Sequence, residues 1–582
     1  MGMKHPERAP GGPRGAWADA PFVIAGLVTV GLVGYAVIWL IGAFISTPVS
    51  GLADAIDVVR SWWWLAACIG AALIGAGVAV AAIVRQRRAG VRERRQFREL
   101  VGMARAAEVQ RVGGGRAVTS RARVLRPTLR APVLAEVAYE EGKHRGRPVF
   151  STVEDSMLVL GPPRSGKGYH VVINRVLDAV GAVVTTSTRP DNLVVALEAR
   201  AAEGRPVAVF DPEQLAPGVA GGARWSPVRG CEDARTAAVR ARGLAAAGFP
   251  AAGENQIWQT MAASGLRCLL HAAALEGLGA REVYRWSQSP GRARPAVDIL
   301  TSQPGAVPGW SEELAAMLDQ DPRTRDSAWL GVRQSLSGLG DPRVLEAVSP
   351  APGEGLDPAE LIRARGALFM IGTAQGAVTS APLITALIED VVQTAKQIAA
   401  ATPGSRVDPP LTLVLDEAAN YALPSLGQLM SEGGGSGIST MAVLQSLAQA
   451  RHAWGADEAQ AIWDAATVKL VLGGSANAET LRDISALVGE RDELTTSATR
   501  DSSWAPRPVS TSESVRRVAI LSPEQVRRLP FGMALLMLRS APPAIIDLRP
   551  WTARRDAKEL QAAAGRTAQL IEAAHQRRHP PT

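Results

Sequence analysis

Ser156-Met-Leu-Val-Leu-Gly-Pro-Pro-Arg-Ser-Gly-Lys-Gly168, followed by Tyr169-His-Val-Val-Ile-Asn-Arg-Val176, decides the fold. Met157 to Leu160 are four apolar residues in a row, the signature of a short strand buried on both faces, and the run stops abruptly at Gly161. Gly161, Pro162, Pro163, Arg164, Ser165, Gly166 and Lys167 then reproduce the spacing of a phosphate-binding loop. Successive backbone N–H groups of such a loop wrap an anion and the lysine reaches its outer oxygens. The glycines let the backbone approach closely in conformations a side chain would forbid. A helix from Tyr169 to about Val180 is expected to aim its positive end at the same anion. Gly168 departs from the pattern, because Ser or Thr normally stands there to offer magnesium a hydroxyl.

A second stretch, Leu411-Thr-Leu-Val-Leu-Asp-Glu-Ala-Ala-Asn420, is another buried strand, and it ends on Asp416 and Glu417 side by side. In phosphate-loop NTPases the first acid of such a pair holds magnesium and the second polarises the attacking water. A third apolar run, Ile438 to Leu444, ends at Gln445. A glutamine there either senses the terminal phosphate or orients water, or simply caps the strand.

Around these stretches the chain reads as strand, helix and strand in alternation, the pattern of a parallel sheet covered by helices. Gly181 to Ser187 is a strand, a helix runs on to about Glu203, and Pro206 to Phe210 is the next strand. From Glu232 to about Ala364 only helices broken by Gly and Pro are expected. One of them, Glu254 to Leu275, carries Ile257, Met261, Cys268, Leu269 and Ala272 on one face. Strands resume at Gly366 to Gly372, and continue at Val468 to Leu472, Met533 to Leu538 and Ala544 to Leu548. Residues 117–155 read as irregular strands, 491–515 as an exposed hairpin or loop, and 552–582 as a polar tail of helix-forming composition.

Ahead of this body, residues 1–20 are polar and Pro/Gly-rich, of disordered character. Phe22 to Ile45 and Trp62 to Val84 are runs of twenty-four and twenty-three residues without a charge. Each exceeds the roughly twenty residues that cross a bilayer, so two transmembrane helices are expected. The arginine-dense segment that begins at Arg85 places both termini in the cytoplasm by the positive-inside rule. That segment also accounts for the charge of the chain. Residues 1–84 balance at four basic and four acidic, residues 85–149 hold seventeen Lys/Arg against six Asp/Glu, and the whole chain carries +8. The remainder is therefore near −3, and the body has no global nucleic-acid signature. Anionic lipid is a natural partner for the arginines, although a stop-transfer flank is their simplest role. Cys68, Cys231 and Cys268 are too scattered for a disulfide framework or a zinc site.

The order of these elements resembles the conjugation coupling proteins of type IV secretion, the TraG/TraD-like ATPases with a TraM-recognition region. The resemblance rests on two N-terminal spans, Gly161-Pro-Pro-Arg-Ser-Gly-Lys-Gly168, a large helical insertion, Leu413-Val-Leu-Asp-Glu417 and Leu444-Gln-Ser446, and it covers roughly residues 20–550. A glycine after the loop lysine fits that family. Ser187-Thr-Arg-Pro-Asp191 stands where many relatives have an Asp-Pro-Lys-Gly-Glu type of loop, a variant like that of the actinobacterial branch, and it leaves the roles of Arg189 and Asp191 open.

The resemblance implies an α/β RecA-like phosphate-loop NTPase with an inserted all-α domain. The expected boundaries are 1–20 disordered, 21–84 anchor, 85–116 basic juxtamembrane segment, 117–231 and 365–551 the two parts of the nucleotide domain, 232–364 the insertion, and 552–582 the tail. It implies ATP and Mg2+, with residues 161–168 on the phosphates, Lys167 binding them, Asp416 supporting the metal, Glu417 activating water and Gln445 sensing the nucleotide state. It further implies a ring hexamer in the cell membrane, completed by an arginine from the neighbouring subunit, for which Arg451 is a candidate. The partners implied are single-stranded DNA gripped without sequence preference, relaxase and relaxosome proteins, and the secretion channel. Two other functions share these motifs: an FtsK-like double-stranded DNA pump, and a nucleotide-binding membrane scaffold without turnover.

Overall fold

The computed structural model describes residues 76, 77, 79–82, 84, 85, 90–248, 255–351, 353–373, 379–402, 404–499 and 510–578. Two compact units divide the chain, residues 1–99 and 100–582. Of the first unit, residues 90–98 are helical. The first expected span, 22–45, lies outside the described residues, as does all but a few residues of the second, 62–84. Among the described residues no helix is long and apolar enough to cross a membrane.

The second unit is built on one sheet of eleven strands. Its strands are β1 (Ala138–His144), β2 (Arg147–Thr152), β3 (Met157–Leu160), β4 (Val183–Ser187), β5 (Val207–Phe210), β6 (Ala367–Ile371), β7 (Leu411–Leu415), β8 (Ile438–Leu444) and β9 (Val468–Leu472), with β12 (Met533–Leu538) and β13 (Ala544–Asp547). A separate ribbon pairs β10 (Glu490–Thr499) with β11 (Ser510–Ala519). The order across the large sheet is β2-β1-β13-β12-β9-β3-β8-β7-β4-β6-β5. From β9 to β5 every pairing is parallel. These strands are covered on both faces, which is why they read as unbroken apolar runs rather than alternating ones. β3 lies in the middle, in register with β8 from Met157↔Met441 to Leu160↔Leu444 and flanked on its other side by β9.

The expected parallel sheet spans β9 to β5, and an antiparallel edge of β12, β13, β1 and β2 extends it. Only Arg145 and Gly146 separate β1 from β2, and five residues separate β12 from β13. Turns this short return the chain beside itself, whereas a parallel neighbour needs a crossover of a dozen residues or more. Residues 117–155, expected as irregular strands, begin with short helices at Gly115–Thr119 and Ala122–Leu125 before the β1–β2 hairpin. Arg539 ties this edge to the entrance of β3. It follows β12, its Nε donates to Asp155 Oδ1 at 2.8 Å and its Nη2 to Thr152 Oγ1 at 2.8 Å, and Asp155 Oδ2 also accepts the Thr152 hydroxyl.

Between β5 and β6 the described residues form helices, from Ala234–Gly248 through Asn255–Leu275 and Pro322–Ser335 to Pro358–Arg363. β5 and β6 are nevertheless adjacent and parallel, with Val207 opposite Ala367, so the chain leaves the sheet and returns beside its point of departure. In the helix Asn255–Leu275, Cys268, Leu269 and Ala272 are fully buried. Ile257, expected on that face, is 64% exposed, and complete burial begins only at Ala262. The final helix, Ala557–Arg578, lays Leu560 against Ile173 and Val195.

Candidate nucleotide site

Three strands of the parallel region deliver the chemistry to one edge. β3 passes directly into the loop 161–167, whose first N–H, that of Gly161, still bonds Leu444 O at 3.0 Å in continuation of the β3–β8 ladder. Two loop residues take left-handed backbone, Arg164 at φ 65° and Gly166 at φ 87°. Glycine at 166 is required twice over: by that angle, and because a Cβ would stand 2.8 Å from the Phe531 ring and from His170 Nδ1. Gly168 is under no such constraint, since a Cβ there would meet nothing within 4 Å. The helix expected from Tyr169 to Val180 is shorter and begins as a π turn, Gly168–Val172, followed by α-helix to Leu177.

Lys167 Nζ and Ser165 Oγ are buried and have no hydrogen-bond partner. A buried ammonium that makes no hydrogen bond is costly, so this loop is built for an anion that supplies the missing acceptors. The nearest carboxylate oxygen to the lysine, Glu417 Oε1, is 3.9 Å away.

β7 ends on the acidic pair. Asp416 is 9% exposed, and its carbonyl accepts the Thr186 hydroxyl of β4 at 2.9 Å. Burial pushes its carboxyl pKa up to about 6, against the pull of the Lys167 ammonium and with the help of the neighbouring Glu417 charge. Glu417 itself stands at φ 54°, a left-handed conformation that is uncommon outside glycine and turns its side chain back over the sheet edge. One of its oxygens, Oε2, accepts from Thr188 Oγ1 and from Asn420 Nδ2, both at 3.0 Å. The other, Oε1, faces Lys167 and lies 3.5 Å from Gln445 Nε2. Gln445 follows β8, and its N–H donates to Gln449 Oε1 at 3.3 Å.

Lys167, Asp416, Glu417 and Gln445 therefore stand together although they come from β3, β7 and β8. Pro163 and Arg164 face solvent on the outside of the loop. The Arg451 guanidinium pairs with Glu479 at 3.0 Å and Asp483 at 3.7 Å of its own chain. Arg189 and Asp191 are largely exposed and lie 3.8 Å from each other. Thr188, beside them, is the contributor that sequence reasoning passed over. Its only sequence signal is its place just past the end of β4, the neighbour of β7.

The arrangement suits a nucleoside triphosphate: an anion cradle with an unpartnered lysine, a buried carboxylate for a hydrated cation, and a second carboxylate aimed at the same place by two donors. Residues 410–531 match a protein family described as the TraM recognition site of TraD and TraG. Among solved structures, an unbound form of the bacterial conjugative coupling protein TrwB is similar at TM-score 0.52 and 18% identity, over 75% of this chain and 92% of that one. TrwB in complex with ADP and Mg2+ matches at 0.50 and 19%, over 71% and 89%. TrwB with a non-hydrolysable ATP analogue matches at 0.50 and 19%, over 75% and 92%. No curated protein matches the chain by sequence. Residues 410–531 are thus similar to the TraM recognition site of TraD and TraG, within a chain that shares its fold with the conjugative coupling protein TrwB.

Proposed function

We propose that this chain is a membrane-anchored ATPase of conjugative transfer, a coupling protein that delivers a DNA–relaxase substrate to a secretion channel and drives the strand through it as a homohexamer. The observation that carries this reading is the buried Lys167, without a hydrogen bond, beside Glu417 at the sheet edge, in a chain whose residues 410–531 match the TraM recognition site of TraD and TraG. TrwB, whose fold the chain shares, has been seen with ADP and Mg2+ and with an ATP analogue. The runs 22–45 and 62–84 would supply the anchor in the cell membrane, and residues 232–364 an inserted helical domain that meets the substrate.

In this reading ATP lies along residues 161–168, and Lys167 offsets the charge of its outer phosphates. Bound Mg2+ would neutralise the phosphate oxygens and polarise the bond to be broken, with Asp416 holding its water shell. Glu417 Oε1 takes the proton of the attacking water, while Thr188 and Asn420 keep Oε2 occupied and so fix the direction of the free oxygen. Gln445 touches that same oxygen and reports, along β8, whether the terminal phosphate is present.

The decisive experiment is ATP hydrolysis by the full-length protein, with and without single- and double-stranded DNA, beside Lys167→Ala and Glu417→Gln. Stimulation by single strands and loss of turnover by a factor of about 100 or more in both variants are expected. Preference for duplex would favour an FtsK-like pump instead, and nucleotide binding without Glu417-dependent turnover would leave only a scaffold.

A further inference from the structure

Away from the nucleotide site, a cavity of about 610 Å³ opens between the helix Ala234–Gly248, the helix Ala381–Ala400 and residues 425–436. Its size is that of a small-ligand pocket. Three cations converge on it, Arg235 and Arg242 from the first helix and Lys396 from the second. Neither arginine reaches a carboxylate at ion-pair distance among the described residues; burial depresses the Lys396 pKa, Glu389 and Glu432 oppose it, and the two arginines add to the fall. The lysine's one hydrogen bond goes to Gln428 Oε1 at 2.9 Å.

On the floor, Ser425 is 5% exposed and its Oγ has no partner. Its N–H donates to Glu389 Oε1 at 2.9 Å. Burial pushes the Glu389 carboxyl above its usual range, against the pull of Arg242 and Lys396. Glu432, the other acid on the wall, is exposed and tied to Gln428 Nε2 at 3.1 Å. Three cations thus face two carboxylates across the cavity, and beside them is a buried hydroxyl that lacks a partner, a set of donors that one further anion would complete. We propose that this cavity binds a phosphate-bearing small molecule, gripped by Arg235, Arg242 and Lys396 and hydrogen-bonded by Ser425 Oγ. Two guanidinium forks favour the tetrahedral oxygens of a phosphate. The ligand would tie the helical segment before β6 to the 410–531 region, independently of the nucleotide site.

The test uses full-length protein in detergent carrying Lys167→Ala, which silences the phosphate loop, and follows pyrophosphate binding by calorimetry and phosphorus NMR. Saturable binding is expected, weakened about ten-fold or more by Arg242→Gln and again by Lys396→Gln. Both residues are off the core, so unchanged melting curves should accompany the loss; Ser425→Ala, which leaves the rim untouched, should also weaken it. ADP should compete with pyrophosphate. Absence of saturable binding, or affinity indifferent to the Arg242→Gln and Lys396→Gln pair, overturns the proposal. A short single-stranded oligonucleotide that binds tighter than pyrophosphate through the same residues would overturn it too, assigning the cleft to a nucleic-acid backbone.

Discussion

Glu417 is held more tightly than a residue at the end of a strand needs to be. Thr188 and Asn420 engage one oxygen at 3.0 Å each, leaving the other to Lys167 and Gln445. A carboxylate that acts on water works only if its reactive lone pair points correctly, so on the proposed mechanism the two donors would position Glu417 without touching substrate. Thr188→Val removes one donor at nearly constant volume. ATP turnover is expected to fall about ten-fold with KM changed by less than about two-fold, and Thr188→Ser should restore most of the rate. Steady-state kinetics on the three proteins decides the matter, since a merely structural threonine would alter melting temperature and spare kcat. Thr188 could not have been found in the sequence: its partner is 229 positions away, and Ser187-Thr-Arg-Pro-Asp191 has no motif that points to Glu417.

At the scale of elements, the sheet joins a parallel region to an antiparallel edge, and Arg539 is the clasp between them. Its guanidinium bonds Asp155 and Thr152 at the entrance to β3, and these hydrogen bonds hold the Asp155 carboxyl below its usual range although burial opposes them. A carboxyl with a lowered folded pKa stabilises the protein above its unfolded value of 3.8, and that contribution is lost as pH falls through the lower folded value. Asp155→Asn should therefore cost about 1–3 kcal/mol at pH 7. The difference from wild type should shrink once pH drops below about 4 in thermal or urea melts across that range. The parallel strands were legible because each is an unbroken apolar run with an abrupt end: Met157 to Leu160 stops at Gly161, Leu411 to Leu415 at Asp416, and Ile438 to Leu444 at Gln445. That is also why the four residues that meet at the sheet edge could be named together. The antiparallel edge was not legible. Whether Ala544 to Asp547 pairs with β12 or elsewhere is set by a five-residue turn and by the hairpin β1–β2 from the far end of the chain, and no run of side chains encodes that choice.

For the molecule as a whole, the ribbon β10–β11 stands apart from the large sheet and exposes Leu494 and Val515, which face each other across its strands at 69% and 64% exposure. A two-stranded ribbon without a core adds little stability. Joining Arg491 to Val518 through an Asn-Gly turn should leave the melting temperature within about 2 °C of wild type, as read by calorimetry. A larger fall would mean that the ribbon is part of the core.

The central place of β3 also bears on how the protein is made. Its partners β8 and β9 lie far downstream; Ile438 is 278 residues beyond Leu160. At ribosomal speeds of about 5–20 residues per second, the phosphate loop waits roughly 15–60 s between its own synthesis and the arrival of the first strand that can pair with its own. Glu417 enters the chain during that interval, but the lysine and the glutamate cannot be set side by side until β8 is slotted between their strands. A nascent chain thus has no assembled sheet edge until its framework is nearly complete, and meanwhile an apolar strand with two open edges depends on the ribosome and on chaperones to keep it from other chains.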